Sequence, residues 1–275
     1  TSLHIAVLTT RCNLGCQYCQ TNNAPKKDMD TKVASRVLDY IFGVRSSTVT
    51  LEFQGGEPLL NWATTKFLVE NARKFNTRGK DLRLTMVSNL TLLDKAKRKF
   101  LADHGVGICT SFDGPRNVHD KNRTFANGTG TYDGLLKNIE IFNQETGQKI
   151  NFMPTITKHS LAYGKEIVDE YLRLGQNHIA LRPVNKLGNA SGTWGEIGYE
   201  PEEFIAFYKS TFDYILELNK KGIFMQERMA SFILKKVLKS QDPGYVELMS
   251  PCGAGRGQIV YMPDGSCYPC DEARM

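Results

Sequence analysis

The sequence predicts an α/β protein on a parallel sheet, open or curled into a partial barrel. Six apolar, β-branched stretches of strand length, reading as strands buried on both faces, recur along the chain with helical patterns between them. Strand-helix units in series imply parallel strands joined by right-handed crossovers. A third observation marks one edge of the sheet. "TRCNLGCQYC" (10–19), directly after the first strand, carries three cysteines within eight positions.

The strands are "LHIAVLTT" (3–10), "TVTLEFQ" (48–54), "LRLTMVSN" (82–89), "GICTSFD" (107–113), "INFMPTIT" (150–157) and "HIALRPV" (178–184). The helices between them are "KVASRVLDYIF" (32–42), "TKFLVENARKF" (65–75), "LLDKAKRKFLADHG" (92–105), "YDGLLKNIEIFNQ" (132–144) and "GKEIVDEYLRLG" (164–175). "NKLGNASGTWG" (185–195) reads as a glycine-rich loop, and two longer helices follow near 202–220 and 225–240. The expected division is a barrel over 1–200, connecting helices over 201–245, and a Gly/Pro-punctuated cysteine segment over 246–275.

Composition excludes several classes. Lys+Arg 35 against Asp+Glu 29 gives a net charge of +6 across 275 residues, and no basic run alternates with aromatics, so a nucleic-acid partner is not indicated. No apolar stretch reaches membrane-spanning length and no signal-like layout opens the chain, which reads as soluble and cytoplasmic. The seven cysteines fall into two short clusters and one isolated position, a distribution that favours metal ligation over disulfides.

Thiolates select zinc or iron–sulfur clusters, and all five histidines lie far from Cys12, Cys16 and Cys19 in sequence. Either a zinc knuckle is completed by a remote cysteine, or the trio holds three irons of a cubane [4Fe–4S] cluster and leaves the fourth open. Ligands of parallel sheets bind beyond the carboxyl ends of the strands. "GGEP" (55–58), Asn89 and "SFDG" (111–114) all fall on that rim. Gly55 and Gly56 suit close approach of a ligand, and Glu57 offers a charge-assisted acceptor; the stretch also reads as a turn with Pro58 opening a helix. Asn89 reads equally as a helix cap. Cys109 reads as a small core residue. "NASGTWGEIGYEPEEF" (189–204) reads as a surface loop, with composition that would also suit a cover over a peptide.

Cys12-x3-Cys16-x2-Cys19, with aromatic Tyr18 before the last cysteine, resembles the radical S-adenosylmethionine (SAM) enzymes. The resemblance implies a [4Fe–4S] cluster whose open iron is chelated by SAM. It also implies one-electron cleavage of SAM to methionine and a 5′-deoxyadenosyl radical, which abstracts a hydrogen atom from the substrate. "QGGEP" resembles the family's Gly-Gly-Glu segment and brings in Gln54, Gly55, Gly56 and Glu57 as contacts to SAM, with Tyr18 beside them. "SNLT" (88–91) resembles its Thr-Asn-Gly segment; Asn89 carries over, and Leu90 stands where the family has glycine. "SFDGPRNVHDKNRTFANGTGTYDG" (111–134) resembles the stretch found in members with a second cluster domain. It implies SAM contacts from Ser111 and Arg123, with Asp113 and His119 bracing the loop.

The tail, with Cys252, Gly265 and Cys270, resembles the opening of an auxiliary-cluster (SPASM or twitch) domain, Cys267 being an extra candidate ligand. The implied fold is therefore a partial (β/α)6 TIM barrel with a C-terminal SPASM/twitch-type domain, expected to be cut short at Met275. Asp271 stands where sulfatase maturases of this superfamily have a catalytic base, and reads otherwise as a surface acid. "LHIAVLTTRCN" with "LEFQGGEPLLNW" resembles maturases of His-Xaa-Ser peptide systems. The implied function is modification of a ribosomally made precursor peptide, with SAM, the SAM-binding cluster and one or more auxiliary [4Fe–4S] clusters. Flavodoxin or ferredoxin is the implied electron donor. Formylglycine formation in a sulfatase is the alternative, and a zinc-binding protein or an electron carrier are the readings from other classes.

Overall fold

The structure, a computed structural model, describes residues 2–21, 25–242 and 244–275. Its elements run β1 (Leu3–Val7), α1 (Thr31–Gly43), β2 (Thr48–Gln54), α2 (Trp62–Phe75), β3 (Asp81–Val87), α3 (Lys95–Asp103), β4 (Val106–Ser111), α4 (Arg116–Asn122), α5 (Tyr132–Thr146) and β5 (Asn151–Met153). Then follow β6 (Thr155–Ile156), α6 (Gly164–Arg173), β7 (His178–Ile179), β8 (Arg182–Pro183), α7 (Asn189–Ile197), α8 (Pro201–Lys220), β9 (Gln226–Glu227), α9 (Arg228–Lys239), β10 (Gln258–Tyr261) and β11 (Cys267–Tyr268). Among the described residues no helix is long and apolar enough to cross a membrane.

One sheet in the order β11-β10-β1-β2-β3-β4-β5 forms the frame, and its pairs from β10 to β5 are parallel. The sheet keeps two edges, so the barrel is partial. Alternation along β2 separates a core face from a cavity face. In β2, Val49, Leu51 and Phe53 are fully buried within the main apolar core, whereas Thr50, Glu52 and Gln54 on the other face are only half-buried. β2, expected to be buried on both faces, is thus apolar toward the helices and polar toward a cavity, whereas β1 keeps Leu3 and Ile5 on the cavity side.

The helices start and stop on local chemistry. Asp30 caps α1 by accepting from Val33 N at 2.7 Å, and Asp94 caps α3 by accepting from Lys97 N at 2.9 Å. Val37, Leu38 and Ile41 of α1 and Leu68, Val69 and Ala72 of α2 recur at helical spacing and bury against β1 to β3.

Three expectations change, and the tail's pairing is new. "INFMPTIT" breaks at Pro154, which cannot donate to a ladder, into β5 and β6. "HIALRPV" likewise splits, β7 pairing with β9 and β8 with β6 in two small parallel sheets. The glycine-rich "loop" is largely the helix α7, since only Gly188 is needed in a special conformation (φ +58). The tail segment joins the barrel's own sheet: β10 lies parallel beside β1, with Leu3 opposite Gln258, and turns back into β11 through Gly265 at φ +87.

Candidate active site

A cavity of about 1010 Å³ lies inside the curve of the sheet. At its rim, Cys12, Cys16 and Cys19 sit in the loop leaving β1, and all three line the cavity. The loop is held from four sides. Gly15 N donates to Thr124 O at 2.8 Å and Gln17 N to Asn122 O at 3.1 Å, tying it to α4 and the segment after it. Gly56 N and Glu57 N donate to Thr9 O and Arg11 O at 2.8 and 2.9 Å, tying it to the end of β2. From α7, Asn189 N donates to Cys19 O at 2.9 Å and Thr193 Oγ1 to Gln17 O at 2.9 Å. The fourth support is the Tyr18 ring, packed with Val184, Ala190 and Ile197.

Gly55 and Gly56 line the cavity, and their missing side chains also admit a close neighbour within the fold. A Cβ on Gly55 would stand 2.4 Å from Thr9 O, and one on Gly56 2.2 Å from Arg11 O. The glycines let β2 press against the chain entering the cysteine loop. Glu57 is not among the residues that line the cavity. It is completely buried, and its carboxylate accepts from Ser88 Oγ at 2.8 Å, Asn89 N at 2.7 Å and Leu59 N at 3.0 Å, so it ties β2 to the end of β3. Burial pushes its carboxyl up, against these three hydrogen bonds.

Asn89 does line the cavity. Its Nδ2 donates to Asn13 Oδ1 at 2.9 Å inside the cysteine loop, and its Oδ1 accepts from Thr91 N at 3.0 Å. Leu90 follows in the left-handed region, φ +62, the conformation for which the family's glycine is suited. Ser111, closing β4, also lines the cavity.

Arg123 reaches the same wall, held by Nη1 donating to the Tyr18 hydroxyl at 2.8 Å. Tyr18 in turn donates to the Asp113 carboxylate at 3.0 Å, and Asp113 accepts from Asn122 Nδ2 at 3.2 Å and Thr155 N at 3.0 Å. Burial raises the Asp113 carboxyl, while Arg123 opposes the shift. His119 braces the loop from behind: Nδ1 faces Asp113 N at 3.3 Å and Nε2 faces Thr131 Oγ1 at 3.0 Å.

All seven cysteines are free thiols. Burial pushes the Cys16 thiol up to about 11 and raises Cys12, and Cys19 adds to both shifts. Such thiols lose their protons when a metal supplies the compensating charge. Around one tetrahedral zinc, thiolates at ~2.3 Å from the metal would lie about 3.8 Å apart. Among the described residues no three Cys, His, Asp or Glu side chains gather closely enough to hold a single ion. Three thiols facing one roomy cavity are a donor set that a cluster could use, each thiolate taking a different iron. Cys12, Cys16 and Cys19 are the residues that would hold it, and Asn89, Ser111 and Arg123 border the same cavity.

The tail supplies the wall farther along. Asp271 lines the cavity and accepts from Arg274 Nε at 2.7 Å; Arg274 Nη2 also donates to Gln54 Oε1 at 3.1 Å. Gln54, expected as a SAM contact, is thereby tied to the tail, although it too borders the cavity. Cys252, Cys267 and Cys270 are absent from the lining. Gly255 N donates to Pro269 O at 2.7 Å, which sets the segment after Cys252 beside that before Cys270. Cys267 is exposed on β11, opposite Tyr261. Cys109 is corrected from core to cavity: it sits half-buried on the inner face of β4.

Sequence reasoning missed α7 as the support of the cysteine loop, and it missed Glu52 on the inner face of β2. The polar alternation Thr50, Glu52, Gln54 was the available signal for the second.

A parallel half-barrel with three thiols beyond its first strand and a glycine-braced rim is a fold and site of the kind expected for a thiolate-ligated cofactor enzyme. The chain belongs to the radical SAM superfamily, whose family profile matches residues 6–171. Its cofactors are accordingly a [4Fe–4S] cluster and SAM. The chain is 26% identical over 285 residues to the cysteine-type anaerobic sulfatase-maturating enzyme of Clostridium perfringens, covering 98% of this chain and 74% of that one. Its fold is similar to native anSMEcpe with bound AdoMet, at TM-score 0.85 and 23% identity, covering 100% of this chain and 76% of the other. It is also similar to Streptococcus suis SuiB bound to precursor peptide SuiA, at TM-score 0.70 and 18% identity, covering 98% and 59%.

Proposed function

We propose that the chain cleaves SAM reductively on a cluster held by Cys12, Cys16 and Cys19 and uses hydrogen abstraction to modify a ribosomally made peptide in the cytoplasm. The observation that carries this reading is one cavity bordered by the three thiols at its rim and by Glu52 and Asp271 farther along. When bound, the cluster and SAM supply the one-electron bond cleavage and the hydrogen-atom abstraction. The chain's own residues orient and enclose. Arg123, fixed through Tyr18, and Ser111 and Asn89 on the strand ends meet the polar groups of SAM. Asp271, aimed by Arg274, takes the substrate's proton. Cys252 and Cys270, with Cys267 as a further candidate, belong to an auxiliary cluster, and flavodoxin or ferredoxin supplies the electron.

A sulfatase maturase forming formylglycine is equally supported: the Clostridium perfringens relative carries that name, and Asp271 borders the cavity. Anaerobic reconstitution with iron and sulfide, reduction, and detection of 5′-deoxyadenosine tests the common core. Release of 5′-deoxyadenosine by the wild type and its loss in Cys16→Ala are expected; reduced, iron-loaded protein that leaves SAM intact overturns it. Mass spectrometry of a co-expressed precursor peptide and of a sulfatase fragment separates the two substrates, since formylglycine replaces a cysteine or serine without cross-linking it.

A further inference from the structure

The outer surface beside the cysteine loop carries a charge pattern that the cavity does not use. β6 and β8 run parallel, with Thr155 opposite Arg182 and Ile156 opposite Pro183, so the residues that follow them emerge side by side beyond the same strand ends. Lys158 follows β6 by two positions, and Lys186 follows β8 by three. Lys121, near the end of α4, joins them. Thr157 Oγ1 donates to Asn122 Oδ1 at 2.9 Å, a bond between the residue before Lys158 and the residue after Lys121. All three lysines are exposed, and among the described residues none takes part in an ion pair.

The segments that carry these lysines hold two acids. Asp120 of α4 is half-buried and accepts from Tyr132 N at 2.9 Å, and Glu196 of α7 is exposed. His159 lies among the same charges: burial first, and then Lys121 and Lys158, hold its imidazole below the usual value, while Glu196 opposes them. Three exposed ammonium groups therefore face one exposed carboxylate.

The position of the lysines is an independent observation. Gln17 N donates to Asn122 O at 3.1 Å beside Lys121, and Asn189 N donates to Cys19 O at 2.9 Å three residues after Lys186. The lysines thus flank two of the supports of the cysteine loop. Gly15, next to Cys16, is exposed and stands outside the cavity lining, so the loop itself reaches the outer surface here. A partner seated on this side approaches the thiols without entering the cavity. Charged patches steer brief encounters, and the net charge of +6 adds long-range attraction for an anionic protein.

Resting on the reading that Cys12, Cys16 and Cys19 hold the cluster, we infer that this surface docks an acidic one-electron carrier protein, with Lys121, Lys158 and Lys186 meeting its carboxylates. One electron leaves the carrier's reduced centre and enters the oxidised cluster; the carrier is oxidised, the cluster is reduced, and no bond forms or breaks at the interface.

The test uses the cluster-reconstituted full chain and a flavodoxin of net negative charge, with affinity read by calorimetry and cluster reduction by anaerobic stopped-flow absorbance. At about 50 mM salt the wild type should bind oxidised flavodoxin, and raising the salt to about 300 mM should weaken binding at least ~3-fold. Lys121→Glu, Lys158→Glu and Lys186→Glu together should weaken it at least ~10-fold at the lower salt and slow reduction by flavodoxin. A charge-matched control, Arg45→Glu, Lys74→Glu and Arg78→Glu together, alters exposed residues toward the amino ends of β2 and β3. It should change the affinity by less than about threefold, since those charges lie beyond screening distance. Dithionite, a small reductant, should reduce the cluster and drive 5′-deoxyadenosine release alike in all three proteins, which also reports that each is folded. Should the patch variant lose its iron, Lys186→Gln replaces it, with roughly 2-fold weaker binding expected. Absent or salt-independent binding of flavodoxin by the wild type overturns the proposal, as do equal losses in the patch and control variants. Intact SAM in the dithionite-reduced wild type overturns the enzyme reading instead, and the binding result stands apart from it.

Discussion

Gly188 lies so close to Gln20 that a Cβ on the glycine would stand 2.2 Å from the Gln20 carbonyl oxygen. The same Cβ would be 2.8 Å from Cys19 O, and Gly188 itself has φ +58 with ψ −129, outside the regions open to L-residues. Gly188→Ala must therefore push α7 off the cysteine loop and stretch the Asn189 N to Cys19 O bond. We expect a folded protein whose iron content after reconstitution falls by about half or more, because preorganisation of the ligand loop is lost. Iron and sulfide analysis beside the wild type checks it; full iron loading would show that α7 does not support the loop.

Leu90 sets two effects against each other. Its φ of +62 costs a residue with a side chain roughly 1–2 kcal/mol, yet the side chain is fully buried in the main core. Losing a buried leucine costs roughly 2–5 kcal/mol, so packing wins and Leu90→Gly should destabilise. Leu90→Ala loses the packing while keeping the strain. Alanine should therefore be worse than glycine by about 1 kcal/mol, the reverse of their usual order. Urea denaturation of both variants decides, and alanine proving the more stable would contradict the strained assignment.

His119 should make stability depend on pH. Thr131 Oγ1 donates to Arg123 O at 3.0 Å, so it accepts from His119 Nε2–H, and the bare Nδ1 accepts from Asp113 N. A second ring proton would face that N–H. Burial first, and then Arg123, holds the imidazole down to about 3, against 6.5 in the unfolded chain. The unfolded state therefore binds the extra proton between these values. The contribution is fully present above about pH 6.5 and is lost as pH falls toward 3. Between pH 7 and 5.5 it should decline by ~1 kcal/mol. His119→Gln should flatten that part of the urea midpoint profile; an identical profile would place the titration elsewhere.

Much of this was legible in the sequence, for a physical reason in each case. Helix periodicity located α1, α2, α5 and α8 because each buries one apolar stripe. The thiols, the glycines at 55 and 56 and Asn89 could be assigned to one rim because strand ends in a parallel sheet share a side. What was not legible depended on contacts remote in the chain. Glu57 looked like a ligand contact, and only the fold reveals Ser88 and Asn89 closing on its carboxylate. The segment at 189–197 looked like a loop because its glycines hide a helix whose packing partner, Tyr18, lies far away in sequence. The pairing of β10 with β1 joins residues some 255 positions apart and leaves no local trace.

The Tyr18 hydroxyl offers the sharpest test of how the rim is held. It accepts from Arg123 Nη1 and donates to Asp113, and burial keeps the phenol protonated by pushing it up. Tyr18→Phe would leave a buried guanidinium N–H and a buried carboxylate each short of one partner, at a cost of about 1–3 kcal/mol. The ring would still pack against Ala190 and Ile197, so the cysteine loop should keep its place and its iron. Tyr18→Leu removes the ring as well and should lose both stability and iron. Adding Asp113→Asn to Tyr18→Phe should cost less than the sum of the two changes, because the carboxylate that Tyr18→Phe strands is then gone. Urea midpoints and iron content for the singles and the double measure each term. Strict additivity would mean that Tyr18 does not couple Arg123 to Asp113.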